Sequence, residues 1–381
     1  MKWEKVKLSE VTEYITDGDH QPAPKSDSGV LFVKIKDIQD NCLTFDNALF
    51  VPQEYYNQLP KNRKAVYGDT LYTVVGSYGI PAFVNHNIPF CFERNIALLH
   101  PNNRVIPKYL YYAVKNPIFY GNANNIANGS AQKLIPLSKL AGMEVSVPPI
   151  ERQETIVNIL SAYDELIENN QKQIKLLEEA AQRLYKEWFV DLRFPGHETT
   201  PIVDGVPEGW AWGTLADIAL FRRGKTITKD QVKAGIIPVV AGGLEPAYYH
   251  DTPNTNVPVV TVSGSGANAG FTRMYHTKVW ASDCSYIDAA VTKNTAWVYC
   301  FLKGNKASID AMQKGAAQPH VYAKDLNAMK ALFPDDKLLE QFRVIADPMF
   351  TRIGKLDMQI KRLAEARDRL LPKLMSGEIE V

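Results

Sequence analysis

Two groups of small polar and basic side chains hold much of the hydrogen-bonding capacity that this 381-residue chain assigns to loops. In the first half they are Ser77 and Tyr78 in a Gly-rich turn, Asn122, Asn124, Asn125 and Asn128 in the stretch GNANNIANGS, and Gln132 and Lys133 just after it. In the second half they are Arg222, Arg223 and Lys225, then Ser263, Ser265 and Asn268 in TVSGSGANAGF, then Lys314, Gln318 and His320. Amides and hydroxyls both donate and accept, while Lys and Arg add positive charge, so the set suits recognition of a polar, anionic surface. Some of these residues are expected to close their own turns instead.

Motifs that would make the chain an enzyme fail at identifiable positions. Gly224-Lys225-Thr226 ends like a phosphate-binding loop, but Ala219 stands where the first glycine belongs. Gly264-Ser265-Gly266 lacks the third glycine of a dinucleotide fingerprint, because that position is Ala269. Asn87-Ile88-Pro89-Phe90 only approaches the Asn-Pro-Pro-Phe/Tyr loop of adenine methyltransferases, and Val147-Pro148-Pro149 has no Asn or Asp before it. His320 with Lys324 and Asp325 resembles an acid–base cluster, although a contact or turn role is the better reading. There is no HExxH and no serine nucleophile elbow. The expectation is a binding protein without catalytic residues or metal ligands.

Composition narrows the class further. With 45% hydrophobic and 22% charged residues the chain reads as globular, and no apolar run approaches the ~20 residues that span a bilayer. The start, MKWEKVKLSEV, lacks the apolar core of a signal peptide. Cys42, Cys91, Cys284 and Cys300 lie far apart without a CxxC pair, which fits reduced, mostly buried thiols in a cytoplasmic protein. A net charge of +1 gives no global pull toward nucleic acid, so such a partner would be held by local patches or with other subunits.

The elements that must position these loops stand out by their period. Leu160, Tyr163, Ile167, Asn170, Ile174, Leu177, Ala181, Leu184 and Trp188 alternate at spacings of three and four, a heptad seam on one long helix. Met349, Ile353, Leu356, Ile360, Leu363, Arg367, Leu370 and Leu374 repeat it at a constant offset of 186 residues. Between 164 and 187 six acids meet four bases, whereas between 352 and 373 seven bases meet three acids. Opposite net charge on matching seams favours pairing the two helices with each other.

The duplication reaches beyond the helices. Trp210 and Leu215 copy the spacing of Trp3 and Leu8, and Gly315-Ala-Ala-Gln318 follows Gly129-Ser-Ala-Gln132. Strand-like runs at Val30–Ile35, Thr70–Val75 and Ile96–Leu99 and a helix from Pro107 to Asn116 make the first repeat a mixed α/β domain. The expected division is domain 1 over 1–148, spacer helix 1 over 149–194, a linker over 195–209, domain 2 over 210–333 and spacer helix 2 over 334–381.

Four phrases carry a specific resemblance: Pro149-Ile-Glu-Arg-Gln153, Trp188-Phe-Val-Asp-Leu-Arg-Phe-Pro-Gly196, Pro207-Glu-Gly-Trp210 and Leu370-Leu-Pro-Lys-Leu-Met-Ser-Gly-Glu-Ile379. In that order, over nearly the whole chain, they resemble the specificity subunit of a type I restriction–modification system. One departure is Phe333-Pro-Asp-Asp-Lys-Leu-Leu-Glu-Gln341, which is longer between Pro and Gln than the first copy.

The resemblance implies an α+β chain with two tandem target-recognition domains separated by two long antiparallel coiled-coil helices and an internal pseudo-two-fold. It implies a non-catalytic subunit that binds a split, asymmetric site on double-stranded DNA. It also implies docking of methyltransferase subunits, two of them, and of restriction/translocase subunits in the larger complex, with the helix seams as the scaffold. S-adenosylmethionine, ATP and Mg2+ would then belong to those partners and no cofactor to this chain. The polar residues named above become the candidate DNA contacts, since bases are read by side chains at groove edges. The rival reading is a coiled-coil adaptor with two modules for ligands other than DNA, and a further one is a methyltransferase in its own right.

Overall fold

The protein is described by a computed structural model covering residues 3–39, 41–46, 48–129, 133–315 and 318–381. It divides into two units, Met1–Ile167 with Arg362–Val381, and Glu168–Lys361.

In the first unit, strands Thr12–Asp17, Ile96–Pro101, Thr70–Thr73 and Pro81–Phe83 lie side by side in that order, all antiparallel. Pro81 opens an edge strand, where a missing N–H breaks no ladder. Alternate residues of the central strands serve opposite faces. Leu71, Ile96 and Leu98 pack with Phe90, Phe92 and Val33 of a second sheet, whose order is Leu49–Val51, Val30–Val33, Phe90–Phe92. Tyr72, Ala97 and Leu99 instead meet Tyr109, Leu110 and Tyr112 of the helix Pro107–Lys115. That helix in turn rests on Ile156 and Leu160 from the first long helix and on Leu371, Leu374 and Met375 from the second. The short strand Glu4–Lys7 pairs with Glu144–Val147, which leads directly into the long helix.

The second unit repeats this plan strand for strand. Arg222–Arg223, Cys284–Asp288, Val259–Ser263 and Thr272–Tyr275 form the four-stranded sheet, and Tyr248–His250, Ile237–Val240 and Trp280–Ala281 the three-stranded one. Even the single parallel ladder recurs in each three-stranded sheet. The helix Thr295–Gly304 stands where Pro107–Lys115 stands, and Trp297, fully buried, centres a core that includes Tyr185, Phe189 and Phe342 of the long helices.

The long helices are Ile150–Tyr185, widening into a π turn over Lys186–Val190, and Asp336–Ser376. The seam residues turn inward. Leu160, Leu356 and Leu374 are almost fully buried, and Trp188, Ile353 and Asn170 nearly so. Tyr163, Ile167, Ile174, Leu177, Leu184, Ile360, Leu363 and Leu370 are half-buried. Within the second unit Arg352 donates to Gln173 while Phe342 packs on Trp188 and Phe189, so the helices run antiparallel there. The second helix passes through Pro348, Gly354 and Pro372 without breaking. A Cβ at Gly354 would lie 2.5 Å from that of His276, so glycine permits the close approach.

One stretch differs from the sequence reading. Most of GNANNIANGS is not a loop but the C-terminal part of a helix, Pro117–Ile126. Its Asn content argues against helix locally. Pro117 at the first turn, the Asn116 side-chain Oδ1 accepting from the Ile118 N–H, and burial of Phe119 and Ala123 outweigh that preference.

Candidate nucleic-acid interface

In the first unit one edge of the domain gathers residues from three distant segments. The Tyr78 hydroxyl donates to Asn124 Oδ1, and Lys133 Nζ reaches the same oxygen at 3.2 Å and the Tyr78 hydroxyl at 3.5 Å. Lys133 also lies over the Tyr78 ring at 5.9 Å, and Tyr78 stacks on Tyr120 at 6.2 Å. Backbone bonds fix the edge: the Gly76 N–H donates to the Lys133 carbonyl, and Asn128 and Leu134 exchange both bonds of a bridge. Gly129 takes φ +105° in this turn, a conformation that favours glycine. Ser77, Asn125 and Asn128 are exposed nearby in sequence.

Two candidates part from this cluster. Asn122 lies two helical positions from Asn124 and lines a different cavity, beside Trp3, Phe119 and Met375. Gln132 lies outside the described residues.

The second unit builds the same edge with different side chains. Lys314 and His320 form the bridge that Asn128 and Leu134 form in the first, again at the repeat offset of 186. The Gly266 N–H donates to the Pro319 carbonyl, as Gly76 does to Lys133. His320 stacks on Tyr322 at 5.8 Å, Lys324 Nζ lies over the same Tyr322 ring at 5.8 Å, and Lys314 pairs with Asp325 at 2.8 Å. The His320, Lys324 and Asp325 group is thus split between a stack and an ion pair. Ser265 donates to Asp283, and Asn268 supplies a turn carbonyl to Phe271. Gln318 is exposed.

Arg222 and Arg223 are exposed on an edge strand, and Lys225 lies over Trp280 at 5.9 Å. Ser263 must be set aside as a surface contact. It ends a fully buried strand, and its hydroxyl donates to the Gly242 carbonyl. The strand runs as far as Ser263, and the Gly-rich turn begins only after it.

Sequence reasoning missed Tyr120, Tyr322, Arg273 and Asp283. Arg273 lies over Tyr275 at 5.0 Å and donates to the Leu244 carbonyl. The signal that points to Tyr322 is its place two residues beyond the repeated bridge, where an aromatic ring can stack on the bridge histidine. Arg273 and Asp283 have no such signal, since only the sheet register brings them to this face.

Elsewhere in the first unit carboxylates already pair with basic side chains. Arg63 pairs with Asp19 at 3.2 Å and with Asp17 at 3.8 Å, and His20 contacts Asp17 at 2.9 Å. Burial pushes the Asp19 carboxyl up, but the Tyr55 hydroxyl, backbone N–H groups and Arg63 outweigh it and hold it below the usual carboxylate range. Among the described residues no group of three or more His, Cys, Asp or Glu is placed to hold a metal ion. No helix among them is long and apolar enough to cross a membrane. Cys91, Cys284 and Cys300 are buried and Cys42 is exposed.

On the helices the inward seam leaves another apolar surface. Leu176, Leu184, Ile345 and Met349 line a groove of ≈410 Å³ in the second unit, rimmed by Glu179, Arg183 and Glu187. Leu176 is 64% exposed there, far more than a seam residue.

A family model described as the type I restriction modification DNA specificity domain matches residues 1–179. The chain is 27% identical over 318 residues to the type I restriction enzyme MjaIX specificity subunit of Methanocaldococcus jannaschii, covering 77% of this chain and 74% of that protein. It is 24% identical over 420 residues to the putative type I restriction enzyme MjaX specificity subunit of the same organism, covering 100% and 94%. Among solved structures, the S subunit of a type I restriction-modification system from M. genitalium matches with a TM-score of 0.60 at 18% identity. That match covers 98% of this chain and 96% of the other, a likeness of fold.

Proposed function

We propose, from its similarity to type I restriction–modification specificity subunits, that the chain is the DNA-reading subunit of such a system. It reads a bipartite asymmetric site without catalysing a reaction itself. The observation that supports this most directly is the repeat: one frame occurs twice, strand for strand, and the side chains on its equivalent edges differ. Tyr78, Asn124 and Lys133 mark one edge; Lys314, His320 and Tyr322 mark the other. Two readers with one frame and different contacts call for two different half-sites.

Each edge combines an aromatic face, an amide or imidazole, and a lysine. The lysines supply phosphate contact and the amide and imidazole groups supply base-edge hydrogen bonds. Lys133 and Lys314 are held by neutral or acidic partners, so meeting DNA exchanges one partner for another instead of exposing a bare charge.

The partners are double-stranded DNA and methyltransferase subunits, two of them by the repeat, with restriction/translocase subunits in the larger complex. The groove where the exposed Leu176 and Ile345 adjoin the half-buried seam residues Leu184 and Met349 is the surface offered to a methyltransferase subunit. S-adenosylmethionine, ATP and Mg2+ act on those partners, and the assembly works in the cytoplasm.

Methylome sequencing of cells with and without the chain tests the reading. A bipartite motif present only with the chain is expected. A motif that persists in its absence, or one with no unspecified gap, would overturn it.

A further inference from the structure

Arg367 is the charged residue in the second helix seam, where the repeat offset places Ala181 in the first. It does not point to water. Arg367 Nη1 donates to Asp164 Oδ1 at 2.6 Å, and its side chain is 14% exposed. The other oxygen, Asp164 Oδ2, accepts from the Tyr112 hydroxyl at 2.6 Å. Lys115 Nζ, buried, stands 3.8 Å from Asp164 and 5.1 Å from the centre of the Tyr111 ring. Tyr112 and Lys115 belong to the domain helix Pro107–Lys115, Asp164 to one long helix and Arg367 to the other. Four groups thus tie three elements at one carboxylate.

Stability alone is a poor account of this arrangement. Desolvation offsets most of what a buried ion pair gains, and apolar residues of similar volume serve as well or better. The repeat itself supplies the comparison, because Asp164 and Arg367 correspond to Phe350 and Ala181 in the second unit. There the domain helix is seated differently: Tyr299 donates to Glu178 at 3.0 Å and packs edge-on against Phe350, and Gln182 donates to the Cys300 carbonyl. What the charged version adds is direction, since a carboxylate bound on both oxygens holds each donor at a fixed angle. Burial pushes the Asp164 carboxyl up, but Lys115, Tyr112 and Arg367 outweigh it and keep it charged below the usual carboxylate range.

We propose that Asp164 and Arg367 are positioning residues that fix the angle at which the first domain is carried on the helix pair. Through that angle they fix the gap length at which its half-site is accepted. The proposal rests on the DNA-reading function above.

The test uses the full chain assembled with its methyltransferase subunits, on duplexes carrying the cellular gap and gaps one base pair longer and shorter. Arg367→Ala and the double variant Asp164→Phe/Arg367→Ala should lose about tenfold in discrimination between gaps, because ~1 Å misplacements carry costs up to about a hundredfold. Arg367→Lys should restore part of it. Half-site sequence preference should stay unchanged. The double variant carries the second unit's apolar residues but leaves the buried Lys115 without its carboxylate; adding Lys115→Met removes that charge and should bring the melting temperature near the wild-type value, so lost selectivity in the triple variant is not lost folding. A uniform fall in methylation at every gap, or a double variant with intact discrimination, would overturn the proposal. A readout without DNA separates this from failure of the functional reading. Spin labels at Glu54 and Arg362, both exposed, in a Cys42→Ser background should give a broader or shifted distance distribution in Arg367→Ala. An unchanged distribution would overturn the positioning role even where the DNA-reading function holds.

Discussion

Lys133 is bound to Asn124 and to the Tyr78 hydroxyl, and it has no carboxylate among those partners. Its charge is therefore available to a phosphate at little cost. Replacing it with alanine should weaken DNA binding by the complex on every sequence and lower the slope of log K against log salt by ~0.9, the value of one phosphate contact on B-DNA. Asn124→Ala should instead alter preference at one base with the salt slope kept, at about 1–3 kcal/mol. Salt titrations of both variants on cognate and random duplexes measure the two quantities. Equal slopes for Lys133→Ala and wild type would remove Lys133 from the phosphate contacts. A second residue-scale prediction concerns His276, whose ring faces Phe350 at 6.5 Å beneath Gly354. Burial lowers its pKa from the ordinary 6.5, with Asp357 opposing. A base whose folded pKa is depressed contributes fully above its unfolded value and loses that contribution as pH falls through and below about 6.5. Asp164 contributes in the same direction at lower pH, so the comparison needs a variant. His276→Gln should flatten the drop in thermal midpoint between about pH 7.5 and 5.5.

The long helices are the elements most legible in the sequence, because a period of three and four survives any neighbour. The seam from Leu160 to Trp188 and its copy from Ile353 to Leu374 both face inward as their spacing requires. The short strands at Val30, Thr70 and Ile96 were legible from β-branched and aromatic runs. Their partners were not, because pairing Thr12–Asp17 with Ile96–Pro101 spans some eighty residues that carry no local signal. The Asn-rich helix Pro117–Ile126 was hidden for the opposite reason: its composition speaks for a loop, and tertiary burial of Phe119 and Ala123 decides otherwise. Of the candidate contacts, Asn128 and Lys314 adjoin text repeated in both halves, Gly129–Gln132 and Gly315–Gln318, whereas their bridges and the Ser265–Asp283 bond depend on the fold. The helices also carry an element-scale prediction. Seven residues inserted after Asn170 and seven after Leu356 preserve both seams and add about 10.5 Å of helix, or roughly three base pairs. The methylated motif should keep both half-sites and gain that much gap, with reduced activity, since three base pairs also turn one half-site by about a quarter of the helical repeat. A fully active variant with the original gap would show that the helices do not set the spacing.

At the scale of the whole molecule, a frame used twice makes each reader exchangeable. Replacing residues 1–148 with the equivalent domain of a relative should change one half of the methylated motif and leave the other intact. A change in both halves would mean that the readers are not independent. The same frame places the two ends of the chain in one unit. Trp3 Nε1 donates to the Leu374 carbonyl at 3.4 Å, and Ile379 and Val381 pack on the core that contains Val6 and Leu8. Ends held that close permit circular permutation when the new opening falls in exposed chain. The region from His197 to Val203 is such a place: it is largely exposed, and its hydrogen bonds are local turns and the two-residue ladder of Ile202–Val203 with Val206–Pro207. A chain joined from Val381 to Met1 by a short Gly/Ser linker and opened between Glu198 and Thr199 breaks none of the long-range packing in either unit. It should fold, assemble with methyltransferase subunits and methylate the same motif with the same gap. The opening keeps intact the first long helix, its π turn and, beyond them, Phe194, whose ring packs on Trp210 and His197. Moving the opening to the middle of that helix, between Asn169 and Asn170, should abolish assembly, because it cuts the continuous helix Ile150–Tyr185. Co-purification with tagged methyltransferase subunits and sequencing of the methylated sites read both outcomes. Failure of the first permutant to assemble, although folded, would show that continuity through the linker matters beyond the packing it connects.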